Sequence, residues 1–218
     1  MRFSEYATIV FDCDGVILDS NRVKTEAFRR AAGPYGKEAA DALVNYHVAN
    51  GGVSRYKKFD YFLEKLAPKD IKGPDLQQLL DNYAQEVKAG LLSCKIASAL
   101  PELRAMNPLA RWVVASGGDQ SELRRVFEER RLIDFFDGGI YGSPDDKIDI
   151  VAREIASGNI TFPALLIGDS KYDHVVASEN GLAFVFVSNW SEFADWPTYC
   201  AENSISVFKN LEMLNEGN

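Results

Sequence analysis

The sequence predicts an α/β fold: a parallel sheet with helices on both faces, interrupted by an all-α insertion. Three observations carry this expectation. Short apolar runs rich in β-branched and aromatic residues recur near 6–12, 111–116, 138–141, 164–169 and 183–187. Helical patterns separate the later runs, and strands alternating with helices give parallel sheets covered on both sides. Between residue 20 and about residue 90 the alternation stops and only helical patterns remain.

The first strand is Thr8-Ile9-Val10-Phe11, a β-branched and aromatic run suited to a buried position. It ends in Asp12-Cys13-Asp14-Gly15, which puts two carboxylates on one side of the chain. Like charges this close raise each other's pKa, and a hard divalent cation with oxygen ligands is the usual compensation. Gly15 permits a sharp backbone departure. Cys13, between the carboxylates, is expected to point into the core as a small buried hydrophobe.

Four helices are then expected at 20–32, 37–49, 53–66 and 75–90. Gly33-Pro34, Gly51-Gly52, Pro68 and Gly73-Pro74 mark the joints. The expected division is an α/β core of residues 1–18 and 91–218 and a helical cap of residues 19–90. An insertion directly after a carboxylate-bearing strand end is placed to close over a site there. Tyr56, Lys57 and Lys58 are expected on the outer face of that cap.

Beyond the insertion, Arg111 to Ala115 forms a second strand that delivers Ser116-Gly117-Gly118. Helical patterns follow over 119–131 and 145–156, the second entered through Gly142-Ser143-Pro144-Asp145-Asp146-Lys147. A further strand from Ala164 ends in Gly168-Asp169-Ser170, with Asp173 one helical turn on. Taken singly, Ser116, Asp169 and Asp173 read as helix caps and Lys147 as a solvated helix-start residue. Taken together, they sit at strand ends, and parallel α/β sheets bind ligands beyond the carboxyl ends of their strands. Residues far apart in sequence are therefore expected to converge on one crevice.

This ordered set resembles the haloacid dehalogenase-like hydrolases, in the branch of phosphatases and phosphomutases with a helical cap. The resemblance spans about residues 6–187 and implies a Rossmann-like core. It implies that Asp12 is a nucleophile forming an aspartyl-phosphate. Asp14 is then the general acid and base, with a pKa raised by burial and neighbouring carboxylates. Mg2+ would be bound by Asp12, the backbone carbonyl of Asp14, and Asp169, with Asp173 a further ligand or the holder of a metal-bound water. Ser116, the amides of Gly117 and Gly118, and Lys147 would grip the phosphoryl group. Dehalogenases of the superfamily lack the second aspartate, so Asp14 disfavours carbon–halogen cleavage.

Within the cap, Gly51-Gly52-Val53-Ser54-Arg55 resembles the element by which sugar-phosphate mutases of this branch bind the phosphate that is not transferred. Arg55 is accordingly expected to recognise a second anion on the substrate. Lys24 is expected to lean toward the substrate from the first cap helix. It stands where those mutases carry a histidine, which favours hydrolysis over transfer. The expected activity is Mg-dependent hydrolysis of a small phosphorylated metabolite, a sugar phosphate or phospho-acid, through an aspartyl-phosphate. The alternatives are a phosphomutase of the same fold and a non-catalytic, receiver-like phosphate-binding module.

Composition narrows the classes further. Over 218 residues, 46% apolar content supports a packed core, and a net charge of −8 without a basic stretch disfavours nucleic acid. No segment approaches the ~18 apolar residues needed to span a membrane. The three dispersed cysteines suggest neither a disulfide framework nor a zinc knuckle, and a cytoplasmic setting is expected. The sequence sets no oligomeric state.

Overall fold

Strand β1 (Thr8–Phe11) lies inside a six-stranded sheet of order β3-β2-β1-β4-β5-β6. Its companions are β2 (Arg111–Asp119), β3 (Ile140–Ser143), β4 (Ala164–Gly168), β5 (Ala183–Val187) and β6 (Ser206–Phe208). All pairings are parallel. This architecture comes from a computed structural model that describes residues 3–214.

Successive strand residues point to opposite faces of a sheet, and the core divides accordingly. Ile9, Phe11, Trp112, Val114, Leu165 and Ile167 enter one apolar cluster; Val10, Val113, Ala115 and Leu166 enter the other. On the first face lie α5 (Leu100–Met106) and α6 (Gln120–Glu129), through Leu100, Leu103, Leu123, Val126 and Phe127. On the second lie α7 (Lys147–Ala156) and α8 (Lys171–Glu179), through Ile150, Val151, Val176 and Ala177. Each large apolar side chain buried this way contributes roughly 1.5–3 kcal/mol.

The chain runs β1, β2, β3 toward one edge and then returns to β4 on the other side of β1. The order of strands therefore reverses between β1 and β4, where such sheets leave a crevice. Phe11 pairs with Ile167, and the Asp12 N–H donates to the Ile167 carbonyl at 2.9 Å. Asp12 and Asp169 thus leave adjoining strand ends at the reversal.

The insertion consists of α1 (Asn21–Ala32), α2 (Lys37–Ala49), α3 (Arg55–Tyr61) and α4 (Leu76–Ser93). The expected helix at 53–66 is α3 followed by a π-helical turn, Phe62–Leu66. Helix α4 continues to Ser93, past the expected cap boundary at residue 90. Ser54 caps α3 by accepting from Lys57 N–H, and Asp75 and Gln78 form a reciprocal capping box on α4. Phe28, Leu43, Phe59, Phe62, Leu79 and Tyr83 join these helices to one another in the same apolar cluster as Phe11. Helix α9 (Trp196–Glu202) and the exposed β6 were not anticipated, because neither carries a clear apolar period. No described helix is long and apolar enough to cross a membrane.

Candidate active site

Asp12, one residue past β1, is buried, and Lys147 Nζ donates to its Oδ1 at 2.7 Å. The same ammonium donates to Asp173 Oδ1 at 2.6 Å. Lys147 is the first residue of α7, yet it is itself buried, pointing in toward the strand ends rather than out to solvent. Burial alone would push its ammonium down; the charges of Asp12 and Asp173 outweigh burial and raise it. Lys147 is therefore a permanent cation beside Asp12.

Asp169 follows β4, and Asn21 Nδ2 donates to its Oδ2 at 2.6 Å. Asn21 also donates to the Trp190 carbonyl at 2.8 Å, so the amide is held at both ends. Gly15 makes the approach possible: its φ is +77°, and a Cβ there would stand 2.0 Å from Asp169 Oδ2. Asp173 is the third residue of α8 and closes a capping box with Ser170, whose N–H and hydroxyl donate to Asp173 Oδ2 at 3.1 and 2.5 Å.

Asp12, Asp169 and Asp173 each offer a carboxylate oxygen within 4.8 Å of the others, and all are buried. Burial, partly offset by Lys147, pushes Asp12 up to about 7, while burial and then Asp12 and Asp173 hold Asp169 well above its ordinary value. The three carboxylates have one ammonium among them, a local deficit of positive charge that a divalent cation answers. The donor set fits Mg2+. Both Asp173 oxygens already accept hydrogen bonds, so Asp12 and Asp169 are the better placed as direct ligands.

Asp14 differs from expectation. Burial pushes its carboxyl up, but Lys24 and the Ser20 hydroxyl outweigh burial and hold it below its ordinary value. Lys24 Nζ donates to Asp14 Oδ2 at 2.5 Å and Ser20 Oγ to Oδ1 at 2.6 Å. The expected raised pKa is thus corrected: neighbouring carboxylates count for less than one buried ammonium in contact. Lys24 does reach the crevice from α1, but as the ion-pair partner of Asp14.

Ser116 is fully buried within β2, and its Oγ accepts from Gly118 N–H at 3.0 Å. The cap of α6 is Asp119, which accepts from Glu122 N–H at 2.9 Å, so Ser116 has no capping role. Gly117 lies where α2 and α3 are joined: a Cβ at Gly117 would stand 2.2 Å from the Gly52 carbonyl. The insertion accordingly rests on the end of β2.

The third helix brings a second correction. Of Tyr56, Lys57 and Lys58, all expected on an outer face, Lys57 is exposed, whereas Tyr56 is half-buried and Lys58 is turned inward. Tyr56 OH donates to Asp119 Oδ2 at 2.9 Å, and Lys57 forms an exposed ion pair with Asp146. Lys58 is buried, with Nζ 2.8 Å from His47 Nδ1. Ser54 at the cap and buried Phe59 fix the rotation of α3, which carries Arg55 and Lys58 inward together. The signal was available, since residues three apart share a helix face. Asn21 offered no such signal, being one polar residue among several near the start of α1.

Arg55 is buried and gives both terminal nitrogens to the Glu122 carboxylate, in a fork-to-fork pair. Its guanidinium also lies over the Tyr83 ring, 4.5 Å from the centroid. The fork expected to read the substrate is therefore engaged by α6. Removing one partner of a buried ion pair strands the other, so Glu122→Ala is expected to destabilise the protein by roughly 3 kcal/mol or more. Urea unfolding measures this; a change below about 1 kcal/mol would place the pair among weak surface contacts.

A cavity of about 300 Å³ opens among these groups, lined by Asp12, Asp14, Asp169, Gly117 and Gly118 from the strand ends and by Asn21 and Lys24 from α1. Phe28, His47, Val53, Arg55, Lys58 and Tyr83 line it from the insertion. The volume falls within the range of small-molecule pockets, and the cavity lies between the strand ends and the insertion.

Three solved structures share this fold across nearly the whole chain or most of it. A haloacid dehalogenase-like hydrolase from Streptococcus pneumoniae is 21% identical, with a TM-score of 0.70, covering 99% of this chain and 100% of its own. A protein described as a predicted phosphatase from Clostridium acetobutylicum is 20% identical, with a TM-score of 0.71 and 98% of each chain covered. CbbY from Rhodobacter sphaeroides, solved with phosphate, is 15% identical over 84% of this chain and 86% of its own, with a TM-score of 0.62. At these identities the likeness speaks to fold. No protein of curated function matches the chain. The haloacid dehalogenase-like hydrolase family matches residues 6–162, which takes in Asp12, Asp14, Ser116 and Lys147. The chain belongs to the haloacid dehalogenase-like hydrolases.

Proposed function

We propose that the protein is an Mg2+-dependent phosphatase that hydrolyses a small phosphorylated metabolite through an aspartyl-phosphate on Asp12. The observation that carries this reading is the contact of Lys147 with both Asp12 and Asp173 beside Asp169. Three buried carboxylates and one buried ammonium meet there, and this supports a nucleophile, a permanent cation and a metal-binding group at one point. The cap is residues 19–90, with α4 carrying the boundary a few residues further.

In the first step a carboxylate oxygen of Asp12 bonds to phosphorus as the ester P–O bond breaks, and the leaving alkoxide takes a proton from Asp14. In the second, water attacks the same phosphorus, Asp14 accepts its proton, and the Asp12 carboxylate and inorganic phosphate are released. Mg2+, held by Asp12, Asp169 and the Asp14 carbonyl with Asp173 beside them, would supply charge neutralisation to the phosphoryl oxygens. Lys147 offsets the repulsion between Asp12 and the phosphate, while the Ser116 hydroxyl and the Gly117 amide, toward the end of β2, hold its oxygens; the Gly118 amide is engaged by Ser116 Oγ.

Asp14 rests ionised and paired with Lys24, so it takes up a proton from solvent before the first step, gives it to the leaving alkoxide, and recovers one from the attacking water in the second. Asp14→Asn is expected to slow turnover of alkyl phosphates roughly 10²–10⁴-fold, with far less effect on aspartyl-phosphate formation from an activated aryl phosphate. Rapid-quench measurement of the phosphoenzyme separates the steps. Equal losses for both leaving groups would remove Asp14 from the acid role. A panel of phosphorylated metabolites with Mg2+ tests the whole reading: inorganic phosphate release marks a phosphatase, whereas an isomeric phosphate ester without release marks a mutase.

A further inference from the structure

Four buried basic side chains converge between the insertion and the strand ends, and three have carboxylate partners; Lys171 also lines the cavity but is exposed. Lys147 is paired with Asp12 and Asp173, Lys24 with Asp14, and Arg55 with Glu122. Lys58 is the exception among the described residues. It is 2% exposed, it lines the cavity, and its nearest polar partner is the ring of His47 at 2.8 Å. Its Nζ also lies 5.6 Å from the centroid of the Phe28 ring.

A lysine buried this deeply without an acid pays a desolvation cost that packing alone does not require, since a leucine or methionine would fill the same space. His47 is buried too, and burial followed by the charges of Lys58 and Lys24 holds it well below its ordinary pKa. It is therefore neutral. An ammonium has donors only, so a protonated Lys58 donates to Nδ1 of His47, and the His47 proton sits on Nε2. This bond uses one of three donors and aims the ammonium without neutralising it.

We propose that Lys58, positioned by His47, binds a second anionic group of the substrate, a carboxylate or a second phosphate, at the cap end of the cavity. The proposal rests on the phosphatase reading and names the substrate class as small phosphate esters with a second anion. Arg55, paired with Glu122 through both terminal nitrogens, anchors α3 to α6 in the rotation that delivers Lys58. The recognising residue is then one helical turn beyond the arginine that the sequence pattern singled out.

The charge state of Lys58 follows from its surroundings. His47 faces it from α2, Lys24 from α1 and Tyr83 from α4, while Asp14, Asp12 and Lys147 act from the strand ends. Burial and the neighbouring Lys24 lower Lys58 to about 7, with Asp14 and Asp12 opposing. A bound anion raises it again. Above pH 7 the second anion therefore binds with uptake of a proton, and below it with none.

The test compares three probes that share a phosphate monoester: phosphoglycolate, ethanediol bisphosphate and ethyl phosphate. With Mg2+, the wild-type protein is expected to favour one or both probes that carry a second anionic group over ethyl phosphate by kcat/KM. Lys58→Met is expected to lower that kcat/KM by roughly 10–100-fold while changing the ethyl phosphate value by less than about threefold. Calorimetry on an Asp12→Asn background, where turnover does not interfere, should show the same loss of affinity for the probe with a second anionic group. At pH 8 phosphoglycolate, whose carboxylate is ionised throughout this range, should take up more protons than ethyl phosphate, and at pH 6 the difference should shrink. The proton measurement needs no change at Lys58, so it stands if the Met variant folds poorly. Equal affinity for all probes, equal losses on all of them, or equal proton uptake would overturn the proposal. If no ester is hydrolysed, the phosphatase reading falls, and the calorimetry still decides whether Lys58 holds an anion.

Discussion

Asp12→Asn is expected to abolish turnover, by on the order of 10⁴-fold or more, with the chain still folded. An amide oxygen is a poor nucleophile toward phosphorus, and the substitution also removes a negative charge from the acidic cluster. The fold should tolerate it. In the absence of metal, Asp12 is raised to about 7 by burial, so a neutral, similarly shaped side chain relieves an unfavourable charge there. The amide oxygen can still accept from Lys147. Phosphate release on the best substrate of the metabolite panel gives the rate, and a thermal melt gives the stability. Turnover within tenfold of wild type would sink the covalent mechanism. Lost turnover together with an unfolded chain would leave the nucleophile to be tested by trapping the wild-type phosphoenzyme.

Chelation of divalent metal is expected to remove activity, and Mg2+ to restore it, because Asp12 and Asp169 repel an anionic substrate when their charge is uncompensated. Calcium should restore it poorly, since its larger coordination number and longer bonds suit this small carboxylate cluster less well. A second readout is independent of catalysis. Asp12 and Asp169 are both raised in the fold, so between about pH 4 and pH 7 the folded protein binds more protons than the unfolded chain. Stability from these groups therefore falls as pH rises through that window in chelated protein. Mg2+ binds the ionised carboxylates, so its stabilising effect should be larger at pH 7.5 than at pH 5. Full activity in chelator, or an Mg2+ effect on Tm that shrinks as pH rises, would refute the assignment of the carboxylates to a metal.

The reach of the sequence can be judged residue by residue. Asp12, Ser116 and Asp169 were legible because each follows a short apolar run, and a parallel sheet carries such strand ends to one edge. Lys147 was legible from its place in an ordered motif, although its buried bond to two carboxylates was not. The cap helices were legible from apolar period and from Gly and Pro joints, to within a residue for α1 and α2. Strand β6 was not, since it lies at the sheet edge and its residues are largely exposed.

What tertiary structure alone decided is the pairing of charges. Asp14 looked like a carboxyl destined for a high pKa until α1 brought Lys24 against it. Arg55 looked free until α6 supplied Glu122, and Lys58 looked exterior until the rotation of α3 set it beside His47. The sequence by itself determined which strand ends carry carboxylates and a hydroxyl, and which helix start carries a lysine, because apolar period and turn residues are read locally. Which buried ammonium meets which acid depends on helix rotation and approach to within a few ångströms. That is settled by apolar packing among residues such as Phe28, Phe59 and Tyr83, far apart in the chain and blind to the charges they carry into place.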